Sequence, residues 1–135
     1  MTEQLETYKQ MATEIFNVLG AGYEEAIYQK AFEVELRLAN IPYEDHTVIP
    51  VFYKGYNIGE QKLDLLIKVS NQSVLEFKVA TGLSLKDENQ LRVYMRLLNV
   101  KSGLLINFCQ CGTAKSAVIP TTPEFIEVSE PIEVK

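Results

Sequence analysis

Asp64-Leu65-Leu66-Ile67-Lys68-Val69-Ser70-Asn71-Gln72-Ser73-Val74-Leu75-Glu76-Phe77-Lys78 is the stretch on which the fold turns. Two apolar, β-branched runs flank Ser70-Asn71-Gln72-Ser73, four residues with turn chemistry, so the segment reads as a hairpin. Side chains alternate faces along a strand, which places Leu75, Phe77 and Val79 on one side and Glu76 and Lys78 on the other. A strand needing one greasy face explains the first set and leaves two charges unexplained. Whether Asp64 joins them depends on the turn. A two-residue loop at Asn71-Gln72 would oppose Asp64 with Val79 and turn it away from Glu76. A loop of three or five residues opposes Asp64 with Lys78 or Glu76 and gathers two carboxylates and an amine on one face. The odd-length loop is the expectation.

Outward from this hairpin the chain reads as α/β, in the order ααβββαβ with a further short strand. Leu5, Tyr8, Ala12, Ile15 and Leu19 recur at helical spacing, Gly20-Ala21-Gly22 interrupts, and Ile27, Ala31, Val34 and Leu38 resume it. Asn40-Ile41-Pro42 ends the second helix, since proline lacks an amide donor. Val48–Tyr53, Ile58–Val69 and Val74–Val79 form an antiparallel meander with Lys54-Gly55 at its first turn. Ser84-Leu85-Lys86-Asp87 has capping-box spacing ahead of a helix carrying Leu91, Met95 and Leu98. Leu104–Phe108 reads as a buried strand and Ala117–Ile119 as a shorter one. Helices flanking a mixed sheet follow.

The 135 residues fit one domain, 1–135. Hydrophobic residues at 47 % and charged residues at 23 % exclude disordered and fibrous classes. The polar opening MTEQLETYKQ and the lack of a long apolar run predict a cytoplasmic protein with no membrane span. Cys109 and Cys111 are too close together to staple a secreted fold. With 13 basic against 18 acidic residues, the net charge of −5 lacks the footprint of a protein that grips phosphates by charge alone. Any hold on nucleic acid must be local, supplied by a metal, or shared with a homo-oligomer or protein partner.

Two carboxylates held close together are what Mg²⁺ needs when it keeps several waters and bridges to a phosphate, and a lysine beside it can orient water and offset charge. Against this stands an exposed sheet face with cross-strand salt bridges, the commoner meaning of such spacing alone. Gln90 and Tyr94, four apart, share a helix face with Lys86. Glu25, three residues from both Gly22 and Tyr28, is expected on one face with them. The sole histidine, His46, reads as a solvated loop residue. Two thiols and one imidazole fall short of a zinc site.

Gly22-Tyr23-Glu24-Glu25-Ala26-Ile27-Tyr28 fits Gly-x-x-Glu-x-x-Tyr and resembles the signature of the GxxExxY family, a branch of the PD-(D/E)XK nuclease-like superfamily. Asp64-Leu65-Leu66, Glu76-Phe77-Lys78, Gln90-Leu91-Arg92-Val93-Tyr94 and Gly103–Phe108 resemble its other blocks in the same order, so the likeness spans about Leu5 to Phe108. The resemblance implies a restriction-endonuclease-like fold and a metal-dependent nuclease acting on DNA with Mg²⁺ or Mn²⁺, or else a silent module of that fold binding nucleic acid or a protein. It also implies that Asp64, Glu76 and the Phe77 carbonyl are metal ligands, that Lys78 is the catalytic lysine, and that Glu25 supports metal or water. Gln90 would brace the site, while Tyr28, Lys86 and Tyr94 would contact substrate. DNA affinity is expected to be weak for the isolated chain.

Overall fold

The structure is a computed structural model and describes residues 2–109 and 122–129. Helices α1 (Thr2–Leu19) and α2 (Glu25–Leu38) meet at the predicted glycine break, where Gly20 and Gly22 have φ of 74° and 110°, a region that side chains disfavour. Strands β1 (Tyr43–Tyr53), β2 (Tyr56–Ile67) and β3 (Ser73–Lys78) form the meander. Helix α3 (Leu85–Leu98) crosses over to β4 (Ser102–Asn107), and β5 (Glu124–Ser129) closes the edge. The sheet order is β1-β2-β3-β4-β5, antiparallel except where β3 and β4 pair in parallel. The architecture is the mixed α/β one expected.

Parity sorts the sheet into two cores. Leu65, Ile67, Leu75, Phe77, Leu104 and Ile106 face α1 and α2, where Phe32 packs on Phe77 and Tyr28 stacks on Phe108 at 4.3 Å. Leu66, Val74, Leu105 and Val128 face Leu91, Tyr94 and Met95 of α3. Covering both faces explains why β3 and β4 are buried almost throughout and read as apolar runs.

Two features differ from the sequence reading. β1 starts at Tyr43, because Tyr43–Asp45 pair with Leu65–Ile67, and His46 therefore lies within a strand, exposed, at a φ of 52°. The fifth strand, Glu124–Ser129, went unread because it is a short edge strand whose Glu-Phe-Ile-Glu-Val-Ser alternation is only half apolar. Ala117–Ile119 lies outside the described residues, as does Cys111.

Candidate active site

The hairpin register decides the site's geometry. Ile67 pairs with Ser73, Leu66 with Val74 and Leu65 with Leu75, so the loop spans five residues, 68–72, and the next opposed pair is Asp64 and Glu76. Here the strands part and side chains replace the ladder. Asp64 N donates to Glu76 Oε1 and Phe77 N donates to Asp64 Oδ2, both at 2.9 Å. Each carboxylate is thus held by an amide of the opposite strand.

This arrangement stores electrostatic tension. Glu76 is only 6 % exposed, and its carboxyl is pushed well above the ordinary range, first by burial and then by the Asp64 carboxylate, with the Asp64 amide and then Lys78 offsetting part. Glu25 enters from the first turn of α2, where its carboxyl is also raised, by partial desolvation and Asp64, against relief from Lys78. Tyr94, with Gln90 Nε2 donating to its hydroxyl at 2.9 Å, is pushed up to about 12 by burial and then by Glu76 and Asp64. Asp64, Glu76, Lys78, Glu25 and the Gln90–Tyr94 pair therefore act on one another across one site. Glu25 and Lys78 line an open cleft of about 630 Å³ with Tyr23, Val79 and Ala80.

Two expected residues sit elsewhere. Tyr28 is fully buried: its hydroxyl donates to the Gly20 carbonyl at 2.6 Å and accepts from Tyr23 N at 3.3 Å, so it shapes the Gly20–Tyr23 loop from behind and does not face the cleft. The spacing of three that linked it to Glu25 misled, because Gly22 precedes the helix and the polar line from Glu25 runs by fours. Lys86 is exposed on the first turn of α3. The Phe77 side chain packs in the α1/α2 core while its backbone lies at the carboxylate pair.

Gln29 escaped the sequence reading, and Asp87 was read there only as part of the capping box. Gln29, buried at the next turn from Glu25, donates from Nε2 to the Asp64 carbonyl and to Glu33 Oε2, both at 3.3 Å. Glu25, Gln29 and Glu33 at successive spacings of four formed a polar stripe that could have revealed it. Asp87 does two jobs: its Oδ2 accepts from Ser84 N and Ser84 Oγ, completing the capping box of α3, and its Oδ1 lies 3.9 Å from Lys78 Nζ. Asn107 holds the connection between them. It accepts from Ala80 N, donates to the Ala80 carbonyl and to Glu124 Oε1, and Leu83 N also donates to Glu124.

Among the described residues no group of three or more His, Cys, Asp or Glu side chains forms a metal cage. The donor set at Asp64 and Glu76 is two hard oxygens beside backbone and open cleft, which fits a cation that retains water, such as Mg²⁺, and does not fit zinc.

The PD-(D/E)XK nuclease superfamily model matches residues 2–119. The chain belongs to the PD-(D/E)XK nuclease superfamily. Its fold is similar to the crystal structure of SSO0001, with a TM-score of 0.56 and 21 % identity over 80 % of this chain. The chain spans about half of that structure, 50 % of its length. No curated protein matches the chain. Superfamily membership supports a nuclease-like function and nucleic acid as the partner class. Among the described residues no helix is long and apolar enough to cross a membrane.

Proposed function

We propose that this chain is a divalent-metal-dependent nuclease that hydrolyses DNA phosphodiester bonds. The observation that carries the reading is the pair Asp64 and Glu76, each held by an opposite-strand amide, with Lys78 two residues further on the same face. Asp64, Glu76 and the Phe77 carbonyl would hold Mg²⁺ or Mn²⁺, which when bound supplies Lewis-acid polarisation of a phosphate and a more acidic water. Lys78 donates to a phosphate oxygen and offsets charge that grows on it. Glu25, at the rim with a raised carboxyl, accepts a hydrogen bond from the attacking water. Tyr94 stays neutral at physiological pH and so remains a donor, oriented by Gln90. Lys86 reaches outward to backbone phosphate.

The purified chain with Mn²⁺ or Mg²⁺ is expected to cleave DNA, and Lys78→Ala to lower the rate on the order of 10²- to 10³-fold. A silent module that only binds nucleic acid or protein is the second reading, favoured by the contact of Lys78 with Asp87 and by the net charge of −5. That reading requires equal binding by wild type and Lys78→Ala, with no metal-dependent cleavage by either.

A further inference from the structure

The β1–β2 hairpin is much longer than the sheet it serves. β2 pairs with β3 only from Leu65 to Ile67, whereas β1 and β2 stay paired from Tyr43↔Ile67 out to Tyr53↔Tyr56. From Leu63 outward the hairpin is a two-stranded arm with no further strand beside it among the described residues. Ile49 and Leu63 bury its base against the α3 core. Its tip is different: Phe52, Tyr53, Tyr56 and Ile58 are 61 %, 60 %, 76 % and 64 % exposed. Lys54 and Gly55 close the tip with positive φ at both central positions, a turn geometry that matches strand twist and holds the aromatic side chains on a defined ribbon. An isolated hairpin is marginal in water, and large exposed apolar side chains at its tip, Tyr53 and Tyr56 opposed on one face and Phe52 on the other, mark an interaction site more than a fold requirement.

Charge selects the partner. From His46 to Gly59 the chain has no carboxylate, although the whole chain carries −5. The cation at the tip, Lys54, has its ammonium 5.4 Å from the centre of the Tyr53 ring. Another exposed apolar surface, at Val18 and Val34 on α1 and α2, is instead flanked by Glu14 and Glu35. A second copy docking tip to tip would bring Lys54 against Lys54 with no acid between His46 and Gly59 to answer it, the nearest carboxylate on the arm being Glu60, opposite Pro50. Exposed aromatic rings beside a lysine are the chemistry that stacks unpaired bases and holds their phosphates. The same strand continues to Asp64, eight residues from Tyr56, so the arm grows out of the candidate active site.

We propose that the tip of this hairpin, Phe52, Tyr53 and Tyr56 with Lys54, is a stacking arm for single-stranded nucleic acid. The inference rests on the nuclease reading for its setting and deepens it by naming the substrate class as unpaired strands or frayed ends.

The test is fluorescence anisotropy of labelled dT20, rU20 and a 20-base-pair duplex, with the full chain in the Lys78→Ala background so that cleavage does not intrude. Phe52→Ala, Tyr53→Ala and Tyr56→Ala, singly and together, are compared with Val18→Ala as a surface control. All four side chains are exposed, and thermal melts of each single variant verify folding where the triple variant fails. Each single substitution at the tip is expected to weaken single-strand binding about 5-fold or more, with Val18→Ala unchanged and duplex binding weaker than either single strand. Retention of binding to dT20 or rU20 distinguishes the sugars. Unchanged affinity in the tip variants, no single-strand binding by the parent, or equal loss on duplex would overturn the proposal. So would tip substitutions that alter molecular mass in light scattering while leaving oligonucleotide affinity intact. The two readings fail separately: arm-dependent binding without any cleavage by wild type sinks the nuclease, and cleavage with arm-independent binding sinks the arm.

Discussion

A carboxyl placed as Glu76 is, nearly sealed from solvent and beside Asp64, resists ionisation, and this has a sign in stability. Its folded pKa lies above its unfolded value, so between the two the native state holds the extra proton. Without metal, stability therefore falls as pH rises from the ordinary glutamate range through the raised folded value. Bound divalent cation offsets the repulsion and also favours the folded state by mass action. Mn²⁺ at millimolar concentration is expected to raise the melting temperature at neutral pH and to flatten the pH dependence. Glu76→Gln keeps an oxygen for the Asp64 amide and removes the charge. It should melt higher than wild type in metal-free buffer, with a gain on the order of 1.4 kcal/mol per pKa unit relieved, and lose most of the Mn²⁺ shift. Melting curves with and without Mn²⁺ from pH 4 to 8 check both, and a wild-type curve that rises with pH through this range without metal would contradict the account. Asp87 is a second residue-scale case. Ser84→Ala and Asp87→Ala both break the capping box and should each cost about 1 kcal/mol of stability. Only Asp87→Ala also releases Lys78, so it alone should lower metal-dependent cleavage, on the order of 10- to 100-fold as outer partners of a metal site do. Equal activity in the two variants would reduce Asp87 to a cap.

Elements position these residues through two contacts that sequence patterns express unequally. Helix α3 lies so close to β4 that a Cβ built on Gly103 would fall 2.6 Å from Met95 Sδ and 3.1 Å from Leu91 Cδ2. Gly103→Ala should therefore overpack the α3 core and cost about 1 to 3 kcal/mol, readable as a lowered denaturation midpoint. A midpoint within error of wild type would mean that Met95 turns aside without strain. Local chemistry announced much of the rest. Ser84 and Asp87 spelled out the start of α3, Gly20-Ala21-Gly22 the helix break, and Lys54-Gly55 the hairpin turn, because each is decided by its own few residues. That Asp64 shares a face with Glu76 and Lys78 followed once the loop was taken as odd in length, whereas its opposition to Glu76 and not Lys78 needed the five-residue loop of the structure. What stayed hidden depended on packing between distant segments. Gln29 became a bridge to the Asp64 carbonyl only because α2 lies over β2, and Tyr28 was drawn into the core by Phe108, eighty residues away. Asp87 read as a cap and nothing more, for its contact with Lys78 requires β3 and α3 to meet at the segment pinned by Asn107.

At the scale of the whole molecule, charge limits how nucleic acid can be held. The net charge is −5, and Lys9, Lys30, Lys68, Lys78 and Arg92 each lie within 4 Å of a carboxylate, so a phosphate arriving at any of them must compete with a protein anion. Lys86, Arg96 and Lys101 are exposed around α3, and Lys54 and Lys62 lie on the arm. Affinity drawn from phosphates falls with salt in proportion to the contacts made, about 0.7 per contact on a log-log scale for a single strand. Stacking on Phe52, Tyr53 and Tyr56 has no such dependence. If the arm supplies most of the hold and Lys54 and Lys62 the phosphate contacts, the slope should be near −1.4, and binding to dT20 should weaken less than about tenfold between 50 and 200 mM salt. Lys54→Ala should remove about half of that slope, whereas Tyr56→Ala should lower affinity and leave the slope intact. Affinity that collapses by a thousandfold over this range would mean that a cationic surface, assembled from several copies or brought by a partner, holds the strand, because a chain this acidic cannot raise so steep a slope from its own paired lysines.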